Sequence, residues 1–180
     1  MAALEPSMAV SDFTKLPAEI IIDLINFDNG TSLPPDGLTF GVPTALSEGT
    51  HNTTVVATAV ADSYYEGSVT LTYNRIDLNE VPGIRSKQFV LGIAVNISDL
   101  IPQINETYQL NLQLADFIDG PLPALALAGS NPEVAFELVA GPESLIFHNR
   151  VTLSAFRPNV ALSSVITKTV LSGLVYRQPV

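Results

Sequence analysis

Apolar residues recur at helical spacing in two short stretches of the chain. The first stripe consists of Ile20, Ile21, Leu24 and Ile25. Pro17 suits the first turn of this helix, and Gly30 suits its end because glycine readily adopts the left-handed conformation of a helix cap. The second stripe consists of Ile101, Ile104 and Tyr108. We expect Asp99 to cap this second helix and Pro102 to lie in its first turn.

After each helix the apolar period changes to two, which is typical of strands with one buried face. In the first half of the chain we expect the buried positions to be Val56, Thr58 and Val60. Their expected counterparts in the second half are Phe136, Leu138 and Ala140, with Glu133 and Glu137 on the solvated face.

Two further strands are predicted in the first half. Residues 63–67 are typical of a hairpin turn, and they lead into a strand in which Val69, Leu71 and Tyr73 alternate with polar residues. A later strand would carry Phe89, Leu91, Ile93 and Val95, and it is echoed near residues 170–175.

Short identities recur in the same order in the two halves of the chain, at a nearly constant offset. Ile25-Asn26 returns as Ile104-Asn105, and Val90-Leu91 returns as Val170-Leu171. Further matches in this series are Leu33 with Leu112, Gly41 with Gly120, Pro43 with Pro123, Gly49 with Gly129, Val69–Thr72 with Val151–Ser154, and Arg75 with Arg157. Ordered matches over so much of the chain indicate a duplicated unit.

The predicted fold class is therefore α+β: a degenerate tandem duplication of a helix followed by three to four largely antiparallel strands, with the helices packed on sheet faces. We expect an N-terminal arm at 1–12, a first unit at 13–95, and a second unit with a C-terminal segment at 96–180. The two units could instead form one compact pseudo-symmetric domain.

Composition narrows the classes of function. Charged residues are 14% of the chain, against about 25% in an average soluble domain. This poverty of charge fits a surface covered by neighbouring subunits, although a Thr/Ser/Asn-rich sheet surface would look similar. The net charge of −10 and only eight basic residues disfavour nucleic-acid binding. No apolar run is long enough to span a membrane, so neither nucleic acid nor membrane is an expected partner.

Few residues point to catalysis. The chain has no cysteine, and its two histidines, His51 and His148, have no carboxylate or second histidine at ligand spacing. Asp116 and Asp119 could pair for acid–base chemistry, but a solvated loop is the favoured interpretation. We therefore predict no catalytic residues, no metal site and no cofactor, and we expect the protein not to be an enzyme.

Two pairs of residues are candidate interface positions. Arg75 and Asp77 are two residues apart, so on a strand they share a face and could form an ion pair, either in a surface bridge or in an intersubunit contact. Tyr64 and Tyr65 lie in the predicted hairpin turn. They could cap the sheet edge or form an aromatic platform.

Five segments of the chain resemble a repeat-type module of virion structural proteins from large tailed bacteriophages. They are Leu38–Gly41, Asn52–Ala57, Tyr65–Ser68, Tyr73–Leu78 and Asp99–Pro102. The segments occur in the order of that family, and Tyr73–Leu78 is the most specific of them. The resemblance implies a structural role in a particle and brings no catalytic residue with it.

We expect a non-enzymatic structural component of a tailed-phage virion, in capsid decoration, a collar or a tail, that acts through oligomeric assembly. Its partners would be further copies of itself and other virion proteins. The arm at 2–10 and the segment at 171–180 are candidate docking elements. The alternative is a carbohydrate- or cell-surface-binding module of a phage fibre, which would use Tyr64 and Tyr65. A hydrolase would require a histidine in a carboxylate-lined pocket.

Overall fold

The computed structural model describes residues 11–61, 63–124, 133–158, 166–167 and 169. Over these residues the protein is mixed α/β, with two α-helices and several strands in sheets. Most of the predicted N-terminal arm, the strand predicted near 170–175 and the docking segment predicted at 171–180 lie outside the described residues.

The first predicted helix is confirmed, and local chemistry explains both of its ends. Helix α1 spans Pro17–Asn29. The Glu19 carboxylate accepts a hydrogen bond from the Leu16 N–H at 3.1 Å, which satisfies a donor at the helix start. Gly30 follows in the left-handed conformation, with φ of 63°, and its N–H bonds to the Asn26 carbonyl. Ile20 and Ile21 are buried, and Leu24 and Ile25 pack beside them.

The second helix, α2, spans Ile101–Tyr108 and follows a 3₁₀ turn at Ile97–Leu100. Asp99 accepts hydrogen bonds from the N–H groups of Val95 and Asn96, so it caps this turn and not α2 itself. The predicted stripe is confirmed, because Ile101 and Ile104 are buried and Tyr108 packs against the core. Within the described part of the chain, no helix is long and apolar enough to cross a membrane.

The first sheet has β3 at its centre. Strand β3 (Thr53–Ala59) pairs antiparallel with β1 (Leu38–Phe40) and β2 (Thr44–Ala45) on one side and with β4 (Ser68–Tyr73) on the other. The predicted hairpin between β3 and β4 is therefore confirmed. Gly67, in the left-handed region with φ of 86°, leads directly into β4.

The predicted buried face of β3 is wrong. Thr53, Val55 and Ala57 point inward, whereas Val56 and Thr58 are exposed. In the second half, strand β7 (Glu133–Val139) buries Val134, Phe136 and Leu138, as expected for the last two. Val55, and not Val56, is therefore the buried residue at this point of β3. A slip of one residue reverses the two faces of a strand, which is why so small an error changed every assignment in β3.

Strands from the first half pair with strands from the second. Strand β5 (Ile76–Asp77) runs parallel to β8 (Phe147–His148), and β6 (Gln88–Val90) runs parallel to β9 (Arg150–Phe156). Strand β9 also pairs antiparallel with β7 along its whole length. The two halves therefore share sheets, and the largely antiparallel arrangement expected from sequence is interrupted at these two crossings.

The strand predicted to run from Phe89 to Val95 ends early. Phe89 and Leu91 are buried as expected, but the chain turns after Val90, and the Ala94 N–H bonds to the Leu91 carbonyl at 2.7 Å. Gly92 has φ of 50° within this turn. As a result, Ile93 is 98% exposed at the tip of the turn instead of facing the core.

One continuous hydrophobic cluster joins both halves. It is formed by side chains of α1, α2 and the central strands, together with the two 3₁₀ turns at Leu78–Glu80 and Ile84–Ser86. Leu78 and Ile84 are almost fully buried, so the segment that connects β5 to β6 belongs to the core and not to a surface loop.

An asparagine side chain closes the end of each helix in the same way. The Asn26 amide donates to the Leu33 carbonyl at 3.0 Å and accepts from the Leu33 N–H at 2.7 Å. Asn105 makes the same two bonds to Leu112, at 3.2 and 2.9 Å. Each side chain thereby holds the chain that leaves its helix, in place of a backbone partner.

Replacing Asn105 by alanine should leave both backbone groups of Leu112 without this partner. We expect Asn105→Ala to lower the free energy of unfolding by about 1–3 kcal/mol, as for a buried pair left unsatisfied. Asn29 is the matched control, because its amide makes one exposed bond to the Ile25 carbonyl. Urea unfolding of both variants measures the difference, and equal losses would contradict a special role for Asn105.

Candidate functional site

Arg75 and Asp77, two of the predicted interface residues, lie where the two halves of the chain meet. Arg75 follows β4, and it lines an open cleft of about 530 Å³ together with Asn52, His148 and Asn149. The cleft lies between the β2–β3 connection and the connection from β7 to β8. Because this junction joins the halves through a dense cluster of polar side chains, we treat it as the candidate site.

Asn52 fixes the backbone of Arg75. Its amide donates to the Arg75 carbonyl at 2.8 Å, and its carbonyl oxygen accepts from the Arg75 N–H at 2.8 Å. The same oxygen accepts from the Thr53 hydroxyl at 2.7 Å. Asn52 was not predicted as a site residue, although it lies in one of the segments that carry the phage-module resemblance.

The Arg75 guanidinium bonds to both halves of the chain. Its Nε donates to the Thr53 hydroxyl at 2.9 Å, and one Nη donates to the Ser144 carbonyl at 3.1 Å. Burial lowers the pKa of Arg75 from its ordinary value, but a guanidinium keeps its charge throughout the physiological range. The cation therefore fastens the β7–β8 connection to β3 through neutral oxygen acceptors.

Within the single chain, Arg75 and Asp77 do not form an ion pair with each other. The Asp77 carboxylate instead accepts from the Asn79 N–H at 2.8 Å and from the Asn149 amide at 2.8 Å. The Asn149 bond is the main cause that lowers the pKa of Asp77, followed by the backbone bond from Asn79. Both predicted residues thus contact the second half, but each uses a different partner.

Tyr73 adds a third contact across the junction. Its hydroxyl donates to the Leu145 carbonyl at 2.7 Å. Burial raises the pKa of Tyr73 to about 12, and the nearby charge of Arg75 opposes this rise. Together, Tyr73 and Arg75 hold the backbone carbonyls of Leu145 and Ser144 against the end of β4.

Asp116 is a buried structural residue and not part of the solvated loop that we expected. It accepts from the Ser144 hydroxyl at 3.0 Å and from the Gln113 N–H at 2.8 Å, and burial is the main cause that raises its pKa. Gly141 permits the close approach, since a Cβ there would lie 2.5 Å from the Ala115 carbonyl oxygen.

Asp119 has a separate role from Asp116. Its carboxylate accepts from the N–H of Ser98 at 2.9 Å and from the Ser98 hydroxyl at 2.8 Å. These bonds lower the pKa of Asp119, with the backbone bond as the first cause. The two carboxylates are therefore used in different local structures, with Ser144 and Ser98 as their respective partners.

Tyr64 and Tyr65 are in the β3–β4 hairpin loop, as predicted. Their rings meet edge to face, with centroids 5.6 Å apart and an interplanar angle of 86°. Tyr64 is 97% exposed, and the loop is held by the Ser63 hydroxyl, which donates to the Tyr65 carbonyl at 3.0 Å. The Tyr64 ring is thus presented to solvent, with the Tyr65 ring beside it.

His148 contributes a polar group to the cleft beside Arg75. Its Nε2 lies 3.3 Å from the Asn52 amide nitrogen. The described residues that line this cleft include no carboxylate. Within the described ranges, no group of three or more His, Cys, Asp or Glu side chains could hold a metal ion. The groups described at the junction act by hydrogen bonding, and they include the Arg75 cation, the Asp77 carboxylate, side-chain amides and backbone carbonyls.

Removing the Arg75 side chain should weaken the junction. We expect Arg75→Ala to lower the free energy of unfolding by about 2–3 kcal/mol, because charge-assisted bonds to partly buried acceptors are lost. Arg75→Lys should recover less than half of this, since an ammonium cannot reproduce the fork of Nε and Nη.

Arg150 is the matched control for Arg75, because its pair with Glu137 is exposed. Arg150→Ala should change the free energy of unfolding by less than about 0.5 kcal/mol. Chemical denaturation of the three variants checks the comparison, and equal effects at both arginines would remove Arg75 from the junction's stabilising contacts.

The raised pKa of Tyr73 predicts that its contribution to stability falls at alkaline pH. Its folded pKa, about 12, lies above the ordinary value of 10.0. The contribution of the un-ionised Tyr73 side chain to the free energy of unfolding is therefore complete below pH 10. It is lost as the pH rises towards 12, because in that window Tyr73 ionises readily only in the unfolded chain. Tyr73→Phe lacks this ionisation, so the stability difference between the two proteins should narrow from pH 10 to 12. Parallel curves would contradict the assignment.

The comparisons with known proteins give one family. The chain matches a family described as "Family of unknown function (DUF7941)" over residues 11–179. No curated protein and no solved structure matches it. The matched range includes both helices and the whole junction around Arg75. The chain therefore belongs to the DUF7941 family.

Proposed function

We propose that the protein is a non-enzymatic structural component of a tailed-phage virion and that it acts through oligomeric assembly. Its location would be the virion, in capsid decoration, a collar or a tail, and its partners would be copies of itself and other virion proteins. The resemblance to repeat-type virion modules supports this proposal. Its most specific segment, Tyr73–Leu78, supplies the junction contacts of Tyr73, Arg75 and Asp77.

The observation that carries the proposal is the number of large apolar side chains left exposed on a chain with few charges. Apolar surface that is contiguous is typical of interaction sites, because water does not solvate it favourably. The turn after β6 is the clearest case, since Ile93 is almost completely exposed and Val95 is exposed beside it. Further exposed apolar residues are Val42, Val56, Val69, Leu114 and Ile118.

We also propose that the chain is a degenerate tandem duplication. The paired Asn26 and Asn105 bonds support it, because they occur at the same point after each helix. Gly67 and Asn149 also support it, because each adopts a positive φ just before the second strand of a hairpin. Building blocks of assemblies commonly arise by such repetition.

Quantitative mass spectrometry of extensively purified virions tests the proposed function. The sample is the phage whose genome encodes the chain, and the readout is copies per particle. A number that covers a capsid would assign the protein to decoration. The number of a single ring would assign it to a collar, tail or baseplate. Complete absence from the particle would reject the structural role.

A second candidate function is recognition of carbohydrate on a cell surface by a fibre module. The observation that favours it is the ring of Tyr64, which is exposed at a hairpin tip and backed by Tyr65. Exposed aromatic faces of this kind can stack on the apolar faces of sugars.

Replacing both tyrosines by alanine tests carbohydrate recognition. If the hairpin tip binds glycans, the double variant should lose glycan binding while its circular dichroism and unfolding curve stay unchanged. Phe27→Ala is the matched control, because Phe27 is an exposed aromatic residue on α1. Equal binding by the double variant and the unmodified protein would exclude the tip as the binding site.

A further inference from the structure

We propose that the groove between α1 and β4 receives a parallel strand from the C-terminal segment of a second copy of the chain. This deepens the proposed function and rests on its oligomeric assembly, since it names the contact through which one copy would join the next. The groove is a cavity of about 170 Å³ lined by α1 and β4, and Leu24, Asn29, Thr72 and Tyr73 are among its lining residues.

The second half of the molecule contains an equivalent groove, between α2 and β9, and strand β6 occupies it. Strand β6 lies along β9, with Phe89 opposite Ala155. On its other side, the Gln103 side chain of α2 accepts from the Val90 N–H at 3.0 Å and donates to the Val90 carbonyl at 2.8 Å. The Phe89 ring also meets the ring of Tyr108 edge to face, at 6.2 Å. Strand β6 is thus held between β9 and α2.

The groove in the first half is bounded by the counterparts of these residues. The offset that relates Asn26 to Asn105 also relates Leu24 to Gln103 and Asn29 to Tyr108. The offset that relates Val69–Thr72 to Val151–Ser154 pairs Thr72 with Ser154 and Tyr73 with Ala155. All four first-half residues line the cavity. The cavity therefore occupies the place that β6 fills in the second half.

Burial differs between the two hairpins at the positions just before the paired residues, which in the second half lie near the turn Ile84–Ser86 that leads into β6. Val69 on β4 is 56% exposed, whereas its counterpart Val151 on β9 is 1% exposed. Leu71 is half-buried, whereas Leu153 is buried. In the described part of the chain, β4 pairs only with β3, so its other edge presents unpaired backbone groups. A strand with Lys168 opposite Thr72 would satisfy the end of this edge, and the residues before it would pass beside Leu71 and Val69.

The sequence identifies the segment of the chain that would occupy the groove. Val170-Leu171 repeats Val90-Leu91, the end of β6 and the buried residue after it. Gln88 of β6 lies opposite Ser154 of β9. The same register would place Lys168 opposite Thr72, because these two residues are the counterparts of Gln88 and Ser154. The segment around residues 168–171 is therefore the strand that fits β4.

A second copy, and not the same chain, is the source of this strand. Strand β6 leaves the first half to cover the hairpin of the half that follows it. By the same rule the segment around 168–171 would cover a first-half hairpin, and we assign that hairpin to a second copy. In the single chain, Ile166, Thr167 and Thr169 are exposed and lie outside any strand. Donation from each copy to the next gives a head-to-tail assembly, which forms a ring if the rotation closes.

Engineered disulfides between full-length chains test this contact, and the natural sequence helps because it contains no cysteine. Two single variants, Thr72→Cys and Lys168→Cys, are purified separately with different tags, mixed and mildly oxidised. Paired residues on neighbouring strands lie within the Cα separation that a disulfide accepts. We expect a cross-linked heterodimer that carries both tags.

Thr70→Cys mixed with Lys168→Cys is the matched control. Thr70 is exposed on the same strand and face, but two residues away from the expected partner. The displacement along the strand takes the Cα separation to about 8 Å, beyond the reach of a disulfide. We expect little cross-linking in this mixture, and equal cross-linking in both mixtures would overturn the register.

The double variant Thr72→Cys/Lys168→Cys separates the two sources of the strand. Donation to a second copy predicts a ladder of covalent oligomers under oxidation. Disulfides that form only within single chains would overturn the assignment to a second copy. If no variant forms a disulfide, the proposed pairing of this segment with β4 is itself overturned. These results come from purified protein, so they are distinguishable from a failure of the virion role, which the particle copy number decides.

Discussion

The pairing of β6 with β9 is the constraint on which the rest of the fold depends. A parallel pair needs a long crossover, and here the crossover carries the chain from one half of the molecule into the sheet of the other. The segment that makes this crossing also buries Leu78 and Ile84 in the common core. Because each of these contacts joins residues from both halves, neither half can complete its core alone.

The polar junction at Arg75 reinforces the same crossing. Tyr73, Arg75 and Asp77 come from one short stretch, and all three bond to residues 144–149 of the second half. Two of the three bonds end on backbone carbonyls, which have fixed positions once the strands are paired. The junction therefore fixes the orientation of the two hairpins relative to each other. The partly buried guanidinium of Arg75 lies at its centre.

Features set by local chemistry were predictable from the sequence. Both ends of α1 were predicted, since Pro17 and Gly30 act on the turn in which they lie. The hairpin at residues 63–67 and the apolar stripe of α2 follow from similarly short patterns. The inward face of β3 was predicted wrongly, because the alternation of inward and outward residues was assigned one residue out of step, and such a slip reverses both faces of a strand.

Features set by distant contacts were not predictable in this way. The partner of Asp77 is Asn149, which lies in a left-handed turn far along the chain. The burial of Asp116 depends on Ser144 and on the close approach at Gly141, neither of which has a sequence signal near Asp116. At the candidate site, Arg75 and Asp77 were predicted to form an ion pair or an intersubunit contact, whereas their partners within the chain could be identified only from the fold.

Native-state hydrogen exchange on the full chain tests the central claim most directly. We expect the slowest amides of β3 and β4 and those of β7 and β9 to open together, with one free energy and one response to denaturant, because the shared core forms a single cooperative unit. Two groups of amides with clearly different opening free energies, one for each half, would contradict the claim that the crossing makes the halves interdependent.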